Sequence, residues 1–312
     1  MKKVGIVFPG QGSQYVGMGK ELYDQFEDVR TLYKTADAAL DFPITDLCFN
    51  GPEEELRQTY NTQPALLLTS YAVWQVLRKE TGIAPHMLAG HSLGEYTAML
   101  AGGFFTFEDA LKITKKRGLL MEESCPKGKG GMVALIGADM GKVEPALQEI
   151  SHGDYVAVPA NLNSADQVVL SGDIDALKES VEKLKGIGFK KAVFLNVSGP
   201  FHSPLMKKGA DRLREELNAL QKYDTIYPVI CNVDASPEQS GNAIVEKLYR
   251  QMFSPVRWEQ SVRRMAQEGV EIFVEVGPQK VLANLIKRIE PVVPCYSVEG
   301  MNDMEVLKRA LA

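Results

Sequence analysis

The run Gly90-His91-Ser92-Leu93-Gly94 sets a serine between two glycines, each two residues away. A serine hydroxyl is a weak nucleophile at its own pKa and attacks a carbonyl only when a base takes its proton. The chain has four histidines to supply that base: His86, His91, His152 and His202. His91 adjoins the serine at what reads as a strand end. Successive side chains there point to opposite sides, so His91 is expected to face away, as a supporting or core histidine. His152, beside Gly153-Asp154, reads as a surface turn. His202 sits in Ser198-Gly199-Pro200-Phe201-His202-Ser203-Pro204, where two differently patterned segments meet. Clefts form at such junctions, and His202 is the expected base. A Ser92–His202 pair would do acyl chemistry through a serine ester, with water or a second nucleophile as acceptor.

Other spacings offer less. Gly10-Gln11-Gly12-Ser13-Gln14 follows an apolar run as a dinucleotide loop would, but Tyr15 stands where the third glycine belongs. A loop shaped for backbone donation near an active site fits it better. Lys127-Gly128-Lys129-Gly130-Gly131 lacks the Lys-Ser/Thr ending of a phosphate loop. Neither H-E-x-x-H nor another metal-ligand spacing occurs. Cys48, Cys125, Cys231 and Cys295 lie far apart without a C-x-x-C pair. Neither a zinc site nor a disulfide framework is expected, and reduced cytosolic thiols are the simplest reading.

These residues need elements to hold them. Val4–Phe8 and Met87–Gly90 are short apolar runs that read as buried strands, and Leu93–Ala101 as a buried helix. Ser92 would then occupy a tight strand-to-helix turn, the context of a nucleophile elbow. Such a turn lifts the hydroxyl clear of the backbone, and the flanking glycines remove side chains that would clash. The new helix also aims unpaired N–H groups at the site, where they could stabilise an oxyanion. Helices are further expected over 17–40, over 64–80 with Pro64 near the first turn, and over 107–121.

After the glycine-lysine hinge at 127–131 the rhythm changes. Met132–Ile136, Val156–Asn161, Val168–Ser171 and Ala192–Val197 read as strands, and 139–150 and 173–186 as helices. That order is β-α-β-β-α-β, the split ferredoxin-like unit. Residues 127–198 are therefore expected to form an inserted domain between 1–126 and 199–312. The chain then resumes: a helix from Ser203-Pro204 to about Gln221, a strand Val229–Val233, a helix from Ser254-Pro255 to Gln267, a strand Val270–Val276 and a helix 279–289. Alternating strands and helices imply an α/β fold with a mostly parallel, doubly covered sheet.

Composition limits the partners. In 312 residues, 45% are hydrophobic and 24% charged, enough apolar mass for one large or two modest cores. A net charge of −5 argues against nucleic acid as a main partner. No apolar run approaches the roughly 18 residues of a membrane span. The stretch after Lys2-Lys3 stops at Pro9, too short for a signal sequence. A cytoplasmic protein is expected. Without an evident coiled coil, a monomer is the simplest state.

Over essentially its whole length the chain resembles the malonyl-CoA:acyl carrier protein transacylase family of bacterial fatty acid synthesis. The residues that carry the likeness are Phe8-Pro9-Gly10-Gln11-Gly12-Ser13-Gln14, Gly90-His91-Ser92-Leu93-Gly94-Glu95 and Lys116-Arg117-Gly118. Asn161-x-Asn163-Ser164 with Val169-x-Ser171-Gly172, Phe201-His202-Ser203, Arg250-Gln251 with Pro255-Val256 and Trp258, and Glu275-Val276-Gly277-Pro278 complete them. The resemblance implies an α/β-hydrolase-like large domain with a ferredoxin-like insertion. It implies that Ser92 carries malonyl from coenzyme A as an ester and that His202 is the acid and base. The N–H groups of Gln11 and Leu93 would form the oxyanion hole, and the main-chain carbonyl of Gln251 would orient the histidine. Arg117 would hold the malonyl carboxylate, with His91 and Asn161 also at the substrate site. Phe201 matches the pattern of malonyl-selective members, its ring crowding a branched α-carbon. By spacing alone Arg117 is one more cation on a lysine-rich helix; a bidentate guanidinium nevertheless suits a carboxylate.

The expected partners are thus malonyl-CoA and acyl carrier protein, with no cofactor beyond the coenzyme A thioester itself. An acidic carrier would need a local basic patch on this net-negative chain, for which Lys190, Lys191, Lys207 and Lys208 are candidates. A serine hydrolase with the same Ser92 and His202 is the alternative. Arg117 separates the two, because a general esterase has no reason to bury a cation beside its serine. A non-catalytic binding protein would lack the nucleophile or the base, and both are present.

Overall fold

The computed structural model describes residues 2–153, 155–186 and 188–311. Asp154, in the expected turn after His152, lies outside them. Two sheets organise the chain. The larger contains β1 (Val4–Phe8), β2 (Met87–Gly90), β7 (Val229–Ile230), β8 (Pro237–Glu238), β9 (Ile272–Val276) and β10 (Cys295–Val298), in the order β10-β9-β1-β2-β7-β8. All neighbours are parallel except β7 and β8. The second is an antiparallel sheet of β3 (Gly130–Ile136), β4 (Ala157–Ser164), β5 (Gln167–Asp173) and β6 (Lys191–Phe194), in the order β4-β5-β3-β6. Helices Met140–Ile150 and Ile174–Lys185 complete its β-α-β-β-α-β sequence.

Alternation along the strands decides which core each side chain joins. Ile6, Phe8, Leu88 and Val274 enter the larger apolar core under helices Thr59–Thr81, Leu93–Ala101 and Phe107–Glu123. Val7, Met87, Ala89 and Phe273 enter a second core with Trp258, Val262, Leu282 and Ile286. With both faces covered, every residue of β1 and β9 is buried, as the unbroken apolar runs require. The second sheet divides in the same way. Met132 and Ala134 face the large core, while Val133 and Leu135 pack under the two helices of their own layer.

The α/β reading is as observed, with local differences. The helix expected from 64 starts at Thr59 and carries Pro64 inside it. Its first turns are polar but buried, so the apolar pattern begins late. The 17–40 segment breaks at Phe26 into Lys20–Gln25 and Glu27–Leu40. Ser203 does not cap a helix with its side chain: its hydroxyl donates to the Pro200 carbonyl at 2.7 Å, and a 3-10 turn, Pro204–Met206, precedes helix Lys207–Ala219. The helix expected from Ser254 begins at Trp258, because the Val256 backbone is drawn out to pair with β4. Strand Val229–Val233 shortens to Val229–Ile230 because the chain turns at Cys231–Ser236, closed by Ala235 N–H to Cys231 O and Cys231 N–H to Ser236 O. Helices Ile44–Asn50 and Gly241–Gln251 had no sequence expectation.

Candidate active site

β2 ends at Gly90 and the next helix starts at Leu93, so the chain must reverse within His91 and Ser92. Ser92 takes φ 52° and ψ −103°, a conformation a side-chain-bearing residue adopts only when its surroundings impose it. The packing leaves no room for relaxation. A Cβ on Gly90 would lie 2.0 Å from the Gly94 carbonyl carbon, and one on Gly94 would lie 2.0 Å from the Phe8 carbonyl oxygen. Asn232, just beyond β7, clamps the turn from below. Its Oδ1 accepts the Ser92 N–H at 2.8 Å, and its Nδ2 donates to the Gly90 carbonyl at 2.7 Å.

The Ser92 hydroxyl oxygen stands 2.7 Å from His202 Nε2. On the far side of the ring, Nδ1 donates to the main-chain carbonyl of Gln251 at 2.8 Å. That bond holds the ring proton on Nδ1 and leaves Nε2 as the acceptor for the hydroxyl. No carboxylate among the described residues bonds His202. Burial, followed by the charge of Arg117, holds the imidazole down to about 3, so it is a neutral acceptor at neutral pH.

Arg117 comes from helix Phe107–Glu123 and is only 1% exposed. Its Nη2 donates to the Ser92 hydroxyl at 3.1 Å and to Gln251 Oε1 at 2.9 Å; its Nη1 donates to Gln63 Oε1 at 2.8 Å. The guanidinium lies over the Tyr96 ring, 5.1 Å from its centre. Beneath this group is Glu95. Its Oε2 accepts from Gln251 Nε2 at 2.8 Å and from the Asn232 N–H at 3.0 Å. Burial pushes its carboxyl up to about 7, against the opposing pull of those donors and of Arg117.

The remaining expected residues surround this centre. His91 faces away from Ser92, as its position implied: its Nε2 is 2.9 Å from Asn163 Oδ1 and its ring packs on Trp258. The loop carrying Gln11 abuts the elbow, since a Cβ on Gly10 would lie 2.3 Å from the His91 carbonyl oxygen. Among the described residues the N–H groups of Gln11 and Leu93 reach no protein acceptor. Asn161 lines a cleft of about 880 Å³ between the two sheets, together with Gln11, His91, Asn163 and Arg288. The Phe201 ring is buried in the large core. Lys207, one of the candidate docking lysines, is engaged by Asp211 at 2.5 Å.

Gln63, Glu95, Asn163 and Asn232 had no assigned part. Each is a polar residue in or beside a buried element, the one signal that could have marked them. Among the described residues no cluster of three or more His, Cys, Asp or Glu could hold a metal ion, and no helix is long and apolar enough to cross a membrane. The four cysteines are unpaired.

A family profile described as "Acyl transferase domain" matches residues 6–307. Malonyl CoA-acyl carrier protein transacylase of Bacillus subtilis is 42% identical over 311 residues, covering 100% of this chain and 98% of its own. The enzyme of the same name from Escherichia coli is also 42% identical over 311 residues, covering 100% and 99%. A malonyl-transacylase solved in complex with a type II PKS acyl-carrier protein superposes with a TM-score of 0.96 at 38% identity, covering 99% of this chain and 100% of that one. A serine lifted on a strand-to-helix turn, a buried histidine on its hydroxyl and likeness over the whole length together mean that the chain belongs to the acyl transferase domain family.

Proposed function

We propose that this protein transfers malonyl from coenzyme A to the thiol of holo acyl carrier protein, through an ester on Ser92, and so supplies fatty acid elongation. The observation that carries the reading is Arg117: a fully buried guanidinium 3.1 Å from a nucleophilic hydroxyl. A buried cation is costly unless an anion meets it, and malonyl brings its carboxylate next to the reacting thioester. A hydrolase for neutral esters gains nothing from that charge.

In the first half-reaction the Ser92 hydroxyl oxygen attacks the thioester carbonyl while His202 Nε2 takes its proton. The free N–H groups of Gln11 and Leu93 receive the oxyanion. The C–S bond then breaks, and the coenzyme A thiolate leaves with the proton from the imidazolium. In the second, the carrier thiol gives its proton to His202 and attacks the ester, and Ser92 regains its hydrogen. A carbonyl stabilises the imidazolium less than a carboxylate would, and a thiolate leaving group tolerates the weaker base. Both halves close with groups of the chain and its substrates, so the reading assigns no cofactor. Asn161 is taken to hold the acyl or pantetheine chain, Phe201 to crowd a branched α-carbon, residues 127–198 to form the inserted domain, and the cytoplasm to be the setting. The monomer stays part of the reading.

Incubation with malonyl-CoA alone should add one malonyl mass to the intact protein, and Ser92→Ala should abolish it. Holo acyl carrier protein should then take that mass as it leaves the enzyme. Release of free malonate with an unmodified carrier would assign the chain to the hydrolases instead.

A further inference from the structure

Glu95 is the one charged residue of a fully buried helix, and the proposed transfer chemistry does not use it. Its partners show a purpose. Gln251 meets the site with its main-chain carbonyl and both ends of its side-chain amide. Its main-chain carbonyl orients His202, its Oε1 accepts from Arg117, and its Nε2 donates to the Ser92 carbonyl at 2.9 Å and to Glu95. The two ends of a glutamine amide are nearly the same size, so neighbours decide which end points where. Arg117 has only donors. An ionised carboxylate has only acceptors. Between them the amide has one satisfactory orientation, NH₂ toward Glu95 and oxygen toward Arg117.

We propose that Glu95 is a positioning residue whose carboxylate fixes the Gln251 amide, and through it the Arg117 guanidinium, in the orientation that receives a carboxylate-bearing acyl group. This rests on the malonyl-transfer reading. Once protonated, Glu95 offers the Gln251 NH₂ only a neutral, weaker acceptor, so the amide is held less firmly, and with it one of the three acceptors of the guanidinium. Its other oxygen, Oε1, is buried without a partner and can take the proton. The titratable groups facing Glu95 are Arg117, Cys231 beyond β7 and its chain neighbour Tyr96. Burial pushes the Cys231 thiol well up and the Tyr96 hydroxyl to about 12, so both stay neutral. Glu95 is the group of this cluster that changes charge near neutrality, at about 7.

The test compares two substrates on the wild-type enzyme. Single-turnover acylation by malonyl-CoA and by acetyl-CoA is followed by intact mass between about pH 5.5 and 8.5, above the range of an ordinary carboxylic acid. His202 serves both substrates, so its contribution cancels in their ratio; only malonyl needs the Arg117 fork. The malonyl-to-acetyl ratio should fall about tenfold as pH drops through the Glu95 titration, the scale of one charge-assisted hydrogen bond. Glu95→Gln should hold the ratio flat at the low-pH value. A wild-type ratio independent of pH overturns the proposal, and so does a Glu95→Gln enzyme that keeps the wild-type fall. The wild-type measurement decides the matter even if Glu95→Gln does not fold. Absence of malonyl adduct at every pH would instead sink the transfer reading, and the proposal with it.

Discussion

At the scale of single residues, the site sets one neutral imidazole beside one buried cation. Held down to about 3, His202 does not titrate near its usual value of 6.5. The sign for stability follows. The unfolded chain takes up this proton as pH falls below 6.5, whereas the folded one resists until about 3, so His202 withdraws stability across that interval. For catalysis, acetylation by acetyl-CoA should show no step near pH 6.5; a step there would mean that His202 is more solvated than its burial implies. His202→Ala should slow acylation and carrier transfer alike, by roughly 10²–10⁴-fold. His91→Ala should cost less, because the His91 ring bonds Asn163 rather than the serine. Rates from both variants, measured separately for the two half-reactions, check the order. Arg117→Ala should remove about 2–5 kcal/mol from malonyl transfer while acetyl transfer holds or rises. Arg117→Lys should restore little, since an ammonium cannot reach Ser92, Gln63 and Gln251 from one plane. The ratio of kcat/KM for the two thioesters decides; equal losses would make Arg117 a structural cation.

Individual elements matter through how closely they approach. Helix Leu93–Ala101 meets the ends of β1 and β2 so tightly that no side chain fits at Gly90 or Gly94. Gly94→Ala should therefore cost more than about 3 kcal/mol, because the clash is with backbone and cannot be relieved by a rotamer. Urea unfolding should show it as a lowered midpoint, with Ser92 acylation lost alongside. A variant as stable as wild type would show that the helix can shift without harm. Helix Gly241–Gln251 illustrates a different contribution. It ends at Gln251, whose main-chain carbonyl finds Pro255 and no N–H at i+4, accepts from the Ser254 N–H only at 3.5 Å, and takes the His202 ring N–H at 2.8 Å. A helix end thus stands where an aspartate stands in other serine enzymes.

The whole molecule adds a seam. Backbone bonds join the second sheet to the segment that leads into helix Trp258–Gln267: Val256 N–H donates to Ala160 O at 2.8 Å, and Leu162 N–H to Val256 O at 2.9 Å. They place Asn161 and Asn163 on the wall of the cleft facing Gln11 and His91. Leu162→Pro deletes one donor and leaves the Val256 carbonyl unpaired. The expected loss is about 1–3 kcal/mol of stability, with weakened malonyl acylation as the asparagines move. Thermal melts and acylation rates on the same sample check both effects. Stability that falls while acylation holds would mean that the asparagines do not touch the substrate.

Ser92 and His202 as candidates, the alternation of strands and helices and the β-α-β-β-α-β order were legible in the sequence because each depends on local pattern. A turn motif, an inter-segment loop and a period of 2 or 3.6 are written within a few residues. What stayed hidden was set by long-range packing. Gln63, Glu95, Asn232 and the Gln251 side chain come from four separate elements and meet only under the elbow. Polar residues at the start of helix Thr59–Thr81 fall outside the helix expected over 64–80 because their partners lie on other elements, with Gln63 and Arg117 54 positions apart. Helix Trp258–Gln267 starts late because β4, almost a hundred residues earlier, claims the Val256 backbone. The sequence alone determined the candidate nucleophile, its candidate base and the α/β layout. Only the tertiary structure decided which side chains hold the arginine and clamp the Ser92 turn, because those depend on hydrogen-bond partners that burial brings together and local pattern does not encode.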